Sequence, residues 1–133
     1  MVDKGEVVMG VMGLPNWSGG ALVLSAIRGQ GTFAHRTYSP QQPWSARADV
    51  RVDSTAEWGS AVVCISDHEE WATLPLAQGL EEGWECVKVV PLCCGSLCKY
   101  AAVAMGMASV FVQHPISTPN LKAWDHAAGM IFV

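Results

Sequence analysis

Residues 93–133 most constrain what this chain can fold into, because they combine two helix starts with an apolar strand between them. Glycine and serine open an apolar helical run at residues 95–105, and tryptophan and aspartate open a second helix at residues 124–133. The apolar stretch at residues 108–113 predicts the intervening strand. Helices that alternate with strands indicate a layered α/β unit, for which the upstream residues supply the supporting sheet.

The first predicted helix has two chemically different sides. Ser96 and Lys99 lie three residues apart, so they place a hydroxyl and an ammonium on one side. At a helix N-terminus this pair would suit a phosphate oxygen, because free backbone amides and the helix dipole also attract anions. The alternative is an N-cap serine followed by a solvated lysine. The apolar residues recur at helical spacing and predict a stripe that faces the core: Leu97, Ala101, Ala104 and Met105.

Asp125 stands at the start of the second predicted helix, where the dipole favours an ionised carboxylate. Such a carboxylate could serve Mg²⁺, which takes oxygen ligands and often shares them with a substrate phosphate. A capping aspartate is the alternative. The small residues at 127–129 leave room for another element to approach closely.

Two separated motifs resemble one known family. WDHAAG at residues 124–129 resembles the second signature of the inositol monophosphatase superfamily of lithium-sensitive, magnesium-dependent phosphatases, and GSLCKYAAVAMGMASVFV resembles the segment that precedes it there. GEVVMGVMGLPNW is similar to the strand and turn after the first metal motif of the plant-type 3'(2'),5'-bisphosphate nucleotidases. The resemblance implies a layered α/β (α+β) sandwich and a Mg²⁺-dependent hydrolysis of the 3'-phosphate of 3'-phosphoadenosine 5'-phosphate.

The resemblance also implies roles for particular residues. Asp125 matches a metal ligand, and Ser96 and Lys99 match a Ser-x-x-Lys contact to phosphate and nucleotide. His68 lies near a substrate-contacting histidine of the nucleotidase branch, and Gln113 occupies a position where many nucleotidases carry arginine. Glutamine in place of arginine exchanges a bidentate cation for a neutral amide, which predicts weaker or altered phosphate recognition.

Most metal carboxylates of the superfamily belong to an early acidic pair and an Asp-Pro-Ile/Leu-Asp-Gly motif, and that motif is absent from the 133 residues. The pair Glu69-Glu70 falls in the wrong order for the early acidic pair and is interpreted as a solvated helix start. Because Asp125 alone should hold Mg²⁺ poorly, we expect an inactive, truncated part of such a phosphatase. The alternatives are a non-catalytic module that binds a nucleotide phosphate or a protein, and a parent enzyme that acts on inositol phosphates or adenylyl sulfate.

Composition limits the partners. The formal net charge of -4 and the 15% of charged residues argue against a nucleic-acid polymer as a partner. No apolar run approaches the ~18 residues of a membrane span, and residues 1–6 resemble neither a secretory signal nor an Arg-rich transit sequence. We therefore expect a soluble intracellular, cytoplasmic chain without a membrane partner, and the resemblance adds a mitochondrial or plastid location for an intact parent.

The 5 cysteines cannot form an even disulfide framework, which favours a reducing compartment. The cluster of Cys93, Cys94 and Cys98 lacks a second ligand pair with zinc-finger spacing. Buried free thiols next to a helix start are therefore expected in place of zinc.

The rest of the sequence predicts a strand order and a domain division. Residues 6–13 predict a strand buried on both faces, residues 14–20 a turn, and residues 21–28 and 32–36 a meander. The proline-containing residues 39–47 predict a linker between a first domain at 1–38 and a second at 48–133. In the second domain, strands are predicted at 48–53, 60–66 and 84–92, a short helix from residue 68 and a loop at 81–83.

Overall fold

A computed structural model describes residues 1–37, 41, 43, 45–55, 57–78, 87–93, 95–113 and 122–133. The strands are β1 (Val2–Asp3), β2 (Glu6–Val7), β3 (Met9–Trp17), β4 (Gly20–Ile27), β5 (Gly31–Thr37), β6 (Ala48–Val50), β7 (Val62–Ser66), β8 (Lys88–Leu92) and β9 (Val110–Phe111). The α-helices are α1 (Pro75–Gln78), α2 (Ser96–Ala104) and α3 (Ala123–His126). Single 3₁₀ turns lie at Trp58–Ser60, Trp71–Thr73 and Gly129–Ile131.

The first large sheet is antiparallel, with the strand order β3-β4-β5-β6. The predicted meander is confirmed, since β4 pairs with both β3 and β5. The predicted turn at residues 14–20 is wrong in its extent, because β3 continues to Trp17 and the chain reverses at Ser18 and Gly19. Both turn residues have positive φ, which glycine adopts without steric cost.

Burial along β3 alternates, so the prediction of a strand buried on both faces is wrong. Met12 is 2% exposed, whereas its neighbour Val11 is 57% exposed. Successive side chains of a strand point to opposite faces, and here one face packs inward while the other is open. The sheet is therefore covered on the face that carries Met12 and Leu14.

The second large sheet is parallel, with the strand order β8-β7-β9. Val63 pairs with Val89 on one side of the central strand, and Cys64 pairs with Phe111 on the other. Because all three strands run the same way, their carboxyl ends meet at one edge of the sheet. In open α/β sheets, ligands bind outside that edge.

Helix α2 lies between the two sheets. Ala101 and Ala104 pack into the core of the first sheet with Met12 and Leu24. From the same helix, Ala102 and Val103 pack against Cys64 on one face of β7. The opposite face of the parallel sheet, with Val63 and Ile65, is covered by Leu74 and by partly buried Trp71 and Ala77. The order sheet, helix, sheet, helical segment confirms the predicted layered α/β sandwich.

Several predicted elements are shorter than the sequence pattern indicates. Helix α2 matches the predicted residues 95–105 closely, and the residues predicted to face the core pack there. The second helix does not run to the C-terminus, because α3 ends at His126 and a separate 3₁₀ turn follows. The strand predicted at 108–113 is limited to β9, and helical structure after β7 begins at Trp71 and not at residue 68.

The remaining predictions concern the segments that connect the layers. The predicted strand at 48–53 becomes β6, which pairs with β5 of the first sheet. The strands predicted at 60–66 and 84–92 correspond to β7 and β8. Residues 84–86 lie outside the described part, and so does the loop predicted at 81–83. Residues 39, 40, 42 and 44 of the predicted linker also lie outside the described part, and Ser45 hydrogen-bonds to Arg36. The division into two domains stays a prediction.

Candidate substrate and metal site

The carboxyl edge of the parallel sheet brings Ser96 and Gln113 together. Ser96 begins α2 after β8, and Gln113 follows β9. The Ser96 hydroxyl donates to Gln113 Oε1 at 3.4 Å, and both residues are half-buried. The two residues are far apart in sequence, and the shared strand direction of β8 and β9 makes them neighbours.

Lys99 is 3% exposed, so the interpretation of this residue as a solvated lysine is wrong. Its Nζ atom lies 5.8 Å from the centre of the Phe111 ring on β9. The ammonium also acts electrostatically on the Cys64 thiol of β7. Burying a charge is costly unless partners compensate it. The Lys99 ammonium therefore depends on compensating contacts inside the sandwich.

Cys64 is fully buried beside Lys99, and burial raises the pKa of its thiol to about 11, although the lysine charge opposes the rise. The thiol therefore stays protonated at neutral pH. The prediction of buried thiols near the helix start is wrong for Cys93, which is exposed, while Cys98 is partly buried. Cys86 and Cys94 lie outside the described residues.

His68 and the acidic pair follow the central strand at the same edge. The His68 side chain is 60% exposed, and its Nδ1 atom lies 3.6 Å from Asp67 Oδ1. Glu69 accepts a hydrogen bond from the Ser66 backbone amide at 3.2 Å and is half-buried. The interpretation of the pair as a solvated helix start is therefore wrong for Glu69, whose carboxylate binds the end of β7, whereas exposed Glu70 is the N-cap residue of the 3₁₀ turn at Trp71–Thr73.

Asp125 is exposed on α3, the helix that follows Lys122. A hydrogen bond connects α3 to α2 one residue after Asp125, since the Tyr100 hydroxyl and His126 Nδ1 are 3.1 Å apart. The two rings also meet edge to face, with centroids 5.9 Å apart. No role was predicted for Tyr100 or His126 from the sequence. Both lie within the two family motifs, and each carries a polar group in an otherwise mostly apolar stretch.

Small residues let the C-terminal segment pack closely. Gly129 is buried, and a Cβ at this position would lie 2.3 Å from the Tyr100 ring. Gly10 of β3 meets the same segment, since a Cβ there would lie 2.6 Å from Ile131 and 2.8 Å from the Ala128 carbonyl oxygen. The predicted close approach at residues 127–129 is therefore confirmed, and it involves both α2 and β3.

The donor chemistry of Asp125 fits a hard cation in part. An exposed carboxylate supplies the kind of oxygen that Mg²⁺ prefers. Among the described residues, no three His, Cys, Asp or Glu side chains form a group that could hold a metal ion. Asp125 can therefore act as one ligand of a site that needs further oxygen atoms. No helix in the described part of the chain is long and apolar enough to cross a membrane.

The layered sandwich is an α/β fold, and its parallel sheet gathers the candidate residues Ser96 and Gln113 at the carboxyl edge. The profile of the Inositol monophosphatase family matches residues 1–133, and the chain belongs to that family. The family is metal-dependent, and its members are hydrolases of the phosphatase class.

Several individual proteins are similar to the chain over its whole length. The chain is 37% identical over its whole length to "Putative 3'(2'),5'-bisphosphate nucleotidase, mitochondrial" of Arabidopsis thaliana, of which it covers 37%. It is 26% identical to "3'(2'),5'-bisphosphate nucleotidase 1" of Candida albicans, covering 41%, and 27% identical to a 3'(2'),5'-bisphosphate nucleotidase of Oryza sativa, covering 39%. The chain therefore spans about two fifths of the length of these relatives.

Proposed function

We propose that this chain carries residues that bind the nucleotide phosphate in a Mg²⁺-dependent 3'(2'),5'-bisphosphate nucleotidase, whose substrate is 3'-phosphoadenosine 5'-phosphate. The observation that carries the proposal is the meeting of Ser96 and Gln113 at the carboxyl edge of the parallel sheet. The names of the matched relatives support the substrate class.

Each residue at this edge would act on the substrate in a way that its chemistry allows. The Ser96 hydroxyl can donate to a phosphate oxygen once it leaves Gln113, whose amide group can donate as well. Lys99 would contribute a positive charge from within the sandwich, where a low dielectric strengthens its attraction to an anion. Gln113 orients without adding charge, so we expect weaker phosphate binding than an arginine would give.

Asp125 would supply one oxygen ligand to Mg²⁺. When bound, the metal would supply charge stabilisation and an activated water for hydrolysis. No three His, Cys, Asp or Glu side chains among the described residues form a group that could hold a metal ion, and the sequence lacks the Asp-Pro-Ile/Leu-Asp-Gly motif. We therefore expect the 133-residue chain to bind the nucleotide without turning it over.

A second candidate function is a non-catalytic module that binds a nucleotide phosphate. The same observation favours it, because two candidate phosphate-binding side chains meet while no group of three metal-ligating side chains occurs in the described part. Both candidates predict no turnover by the 133-residue chain, and they differ in the turnover expected once the carboxylate motif is present and in the dependence of nucleotide binding on Mg²⁺.

Isothermal titration with 3'-phosphoadenosine 5'-phosphate tests the binding proposal on the 133-residue chain. We expect Gln113→Arg to tighten binding, since it adds a bidentate cation, and Ser96→Ala to weaken it. Val11→Thr, on the open face of β3, is the matched control and should leave the affinity for the nucleotide unchanged. If Gln113→Arg and Ser96→Ala both leave the affinity unchanged, the edge is not the phosphate site.

A phosphate-release assay on a chain that carries the Asp-Pro-Ile/Leu-Asp-Gly motif separates the enzyme from the module. The chain alone should release no phosphate with Mg²⁺, and lithium-inhibited turnover would contradict this expectation. In a chain joined to a segment with the Asp-Pro-Ile/Leu-Asp-Gly motif, Asp125→Asn should lower turnover by orders of magnitude, because it removes a charged candidate metal ligand. Normal turnover in that variant would exclude Asp125 from the site.

A further inference from the structure

Tyr100 contacts every segment that carries a candidate site residue after α2. Its ring meets Phe111 of β9 edge to face, with centroids 5.3 Å apart. Its hydroxyl lies 3.1 Å from His126, which is adjacent to Asp125. Its ring also fills the space that the missing side chain of Gly129 leaves open. One side chain of the central helix therefore touches both the β9 end and the α3 segment.

Helix α3 cannot hold its position by itself. It has 4 residues, whereas isolated helices shorter than ~12–15 residues are marginal in water. Its N-cap residue Lys122 makes no side-chain capping bond. The position of Asp125 must therefore come from tertiary contacts, and His126, the next residue in sequence, makes a side-chain hydrogen bond to Tyr100 of α2.

The chemistry of the pair supports a fixed orientation. Burial raises the pKa of Tyr100, so the hydroxyl remains protonated and can donate. His126 Nε2 is buried and has no hydrogen-bond partner within the described residues, so Nδ1 is the ring atom through which a polar contact orients the imidazole. Losing the hydroxyl would leave the ring held by packing alone.

We propose that Tyr100 is a positioning residue, which places the Asp125 carboxylate through its hydrogen bond to His126. The inference rests on the proposed role of Asp125 as a metal ligand. Tyr100 touches neither metal nor substrate in this scheme. It connects the segment that carries Asp125 to the helix that carries Ser96 and Lys99. The candidate metal ligand and the candidate phosphate-binding residues therefore keep fixed relative positions.

Terbium luminescence on the 133-residue chain tests the proposal without relying on turnover. Tb³⁺ is a hard cation that favours carboxylate oxygen, and Trp124, which is 74% exposed and adjacent to Asp125, can sensitise its emission. We expect Asp125→Asn to remove the Trp124-dependent signal. Tyr100→Phe keeps the ring and removes the hydroxyl, and it should raise the Tb³⁺ dissociation constant about two- to tenfold, as expected for one lost hydrogen bond.

A double-mutant cycle separates positioning from a general loss of stability. If Tyr100 acts through His126, Tyr100→Phe should have no further effect on Tb³⁺ affinity in a His126→Ala background. Phe111→Leu serves as the stability control, because it disturbs the Tyr100 ring contact and leaves the hydroxyl in place. It should lower the midpoint of denaturation without changing Tb³⁺ affinity.

The outcomes distinguish the two proposals. If Asp125→Asn removes the signal while Tyr100→Phe binds Tb³⁺ as the wild type does, the positioning role is wrong and the metal-ligand role stands. If Asp125→Asn leaves the signal unchanged, the metal-ligand role is wrong and the positioning inference falls with it. Additive effects of Tyr100→Phe and His126→Ala would also overturn the positioning inference.

Discussion

A Cβ at Gly129 would lie 2.3 Å from the ring of Tyr100, so the backbone of the C-terminal turn packs directly against that ring. We expect Gly129→Ala to lower the free energy of unfolding by about 1–3 kcal/mol, because the added methyl group overpacks the contact. Chemical denaturation measures this change. The matched control is Gly13→Ala in β3, where nothing lies within 4 Å of the added Cβ. A loss in Gly13→Ala as large as that in Gly129→Ala would contradict the packing argument.

The contrast between Met12 and Val11 predicts opposite outcomes for neighbouring substitutions. Met12 is 2% exposed against α2, so Met12→Ala should cost about 2–5 kcal/mol of unfolding free energy through lost burial and a cavity. Val11 is 57% exposed, and Val11→Ala should change stability by less than about 0.5 kcal/mol. Urea denaturation of both variants checks the prediction. Equal losses would restore the expectation of a strand buried on both faces.

The raised pKa of Cys64 predicts a loss of stability at high pH. The unfolded thiol ionises near its ordinary pKa of 9.0, whereas burial holds the pKa of the folded thiol at about 11. Between these pH values the unfolded state binds fewer protons, so the free energy of unfolding falls as the pH rises, by about 3 kcal/mol in all. Denaturation between pH 8 and pH 11 should show this slope in the wild type and a smaller slope in Cys64→Ala. Equal slopes would contradict it.

Alkylation rates test the same thiol by a different observable. Thiolate is the reactive form, so Cys64 should react with iodoacetamide far more slowly than exposed Cys93 at pH 8. Lys99→Met removes the charge that opposes the rise in the pKa of Cys64 and should slow its alkylation further. Mass spectrometry of the labelled peptides gives both rates. Faster labelling of Cys64 in a Lys99→Met variant that denatures at the wild-type midpoint would contradict the assigned electrostatics.

Asp53 and Ser109 predict an acid-sensitive contact at the amino ends of β7 and β9. Ser109 donates to the Asp53 carboxylate and accepts from the Val62 amide at 3.0 Å. The Ser109 hydroxyl, followed by the Thr55 amide, lowers the pKa of Asp53. This contribution to stability is present above the unfolded pKa of about 3.9 and is lost as the pH falls through the folded value.

Carbon NMR titration of Asp53 measures the effect of each donor. Ser109→Ala should raise the pKa of Asp53 toward its ordinary range and reduce the acid-dependent loss of stability. Thr55→Ala keeps the backbone amide that donates to Asp53 and should shift the pKa less. A larger shift in Thr55→Ala than in Ser109→Ala would reverse the assigned order of causes.

Local pattern predicted most of the elements because their periodicity is set by nearby residues. The stripe of Leu97, Ala101 and Ala104 repeats at helical spacing, and α2 forms there with this stripe in the core. The limits of β3 and α3 were not predictable in this way. Where a strand ends depends on its pairing partner, and β3 continues to Trp17 because Gly20 pairs with it.

The sequence by itself determined the family, the layered α/β class and the residue types available for a phosphate site, since motifs and periodicity are local properties of the chain. Only the tertiary structure decided which of those residues meet. The parallel direction of β8 and β9 joins Ser96 to Gln113, and the position of α2 between two sheets buries Lys99. The Tyr100–His126 contact links residues 26 positions apart. Such contacts depend on how layers pack, and no local pattern encodes the distance between two layers.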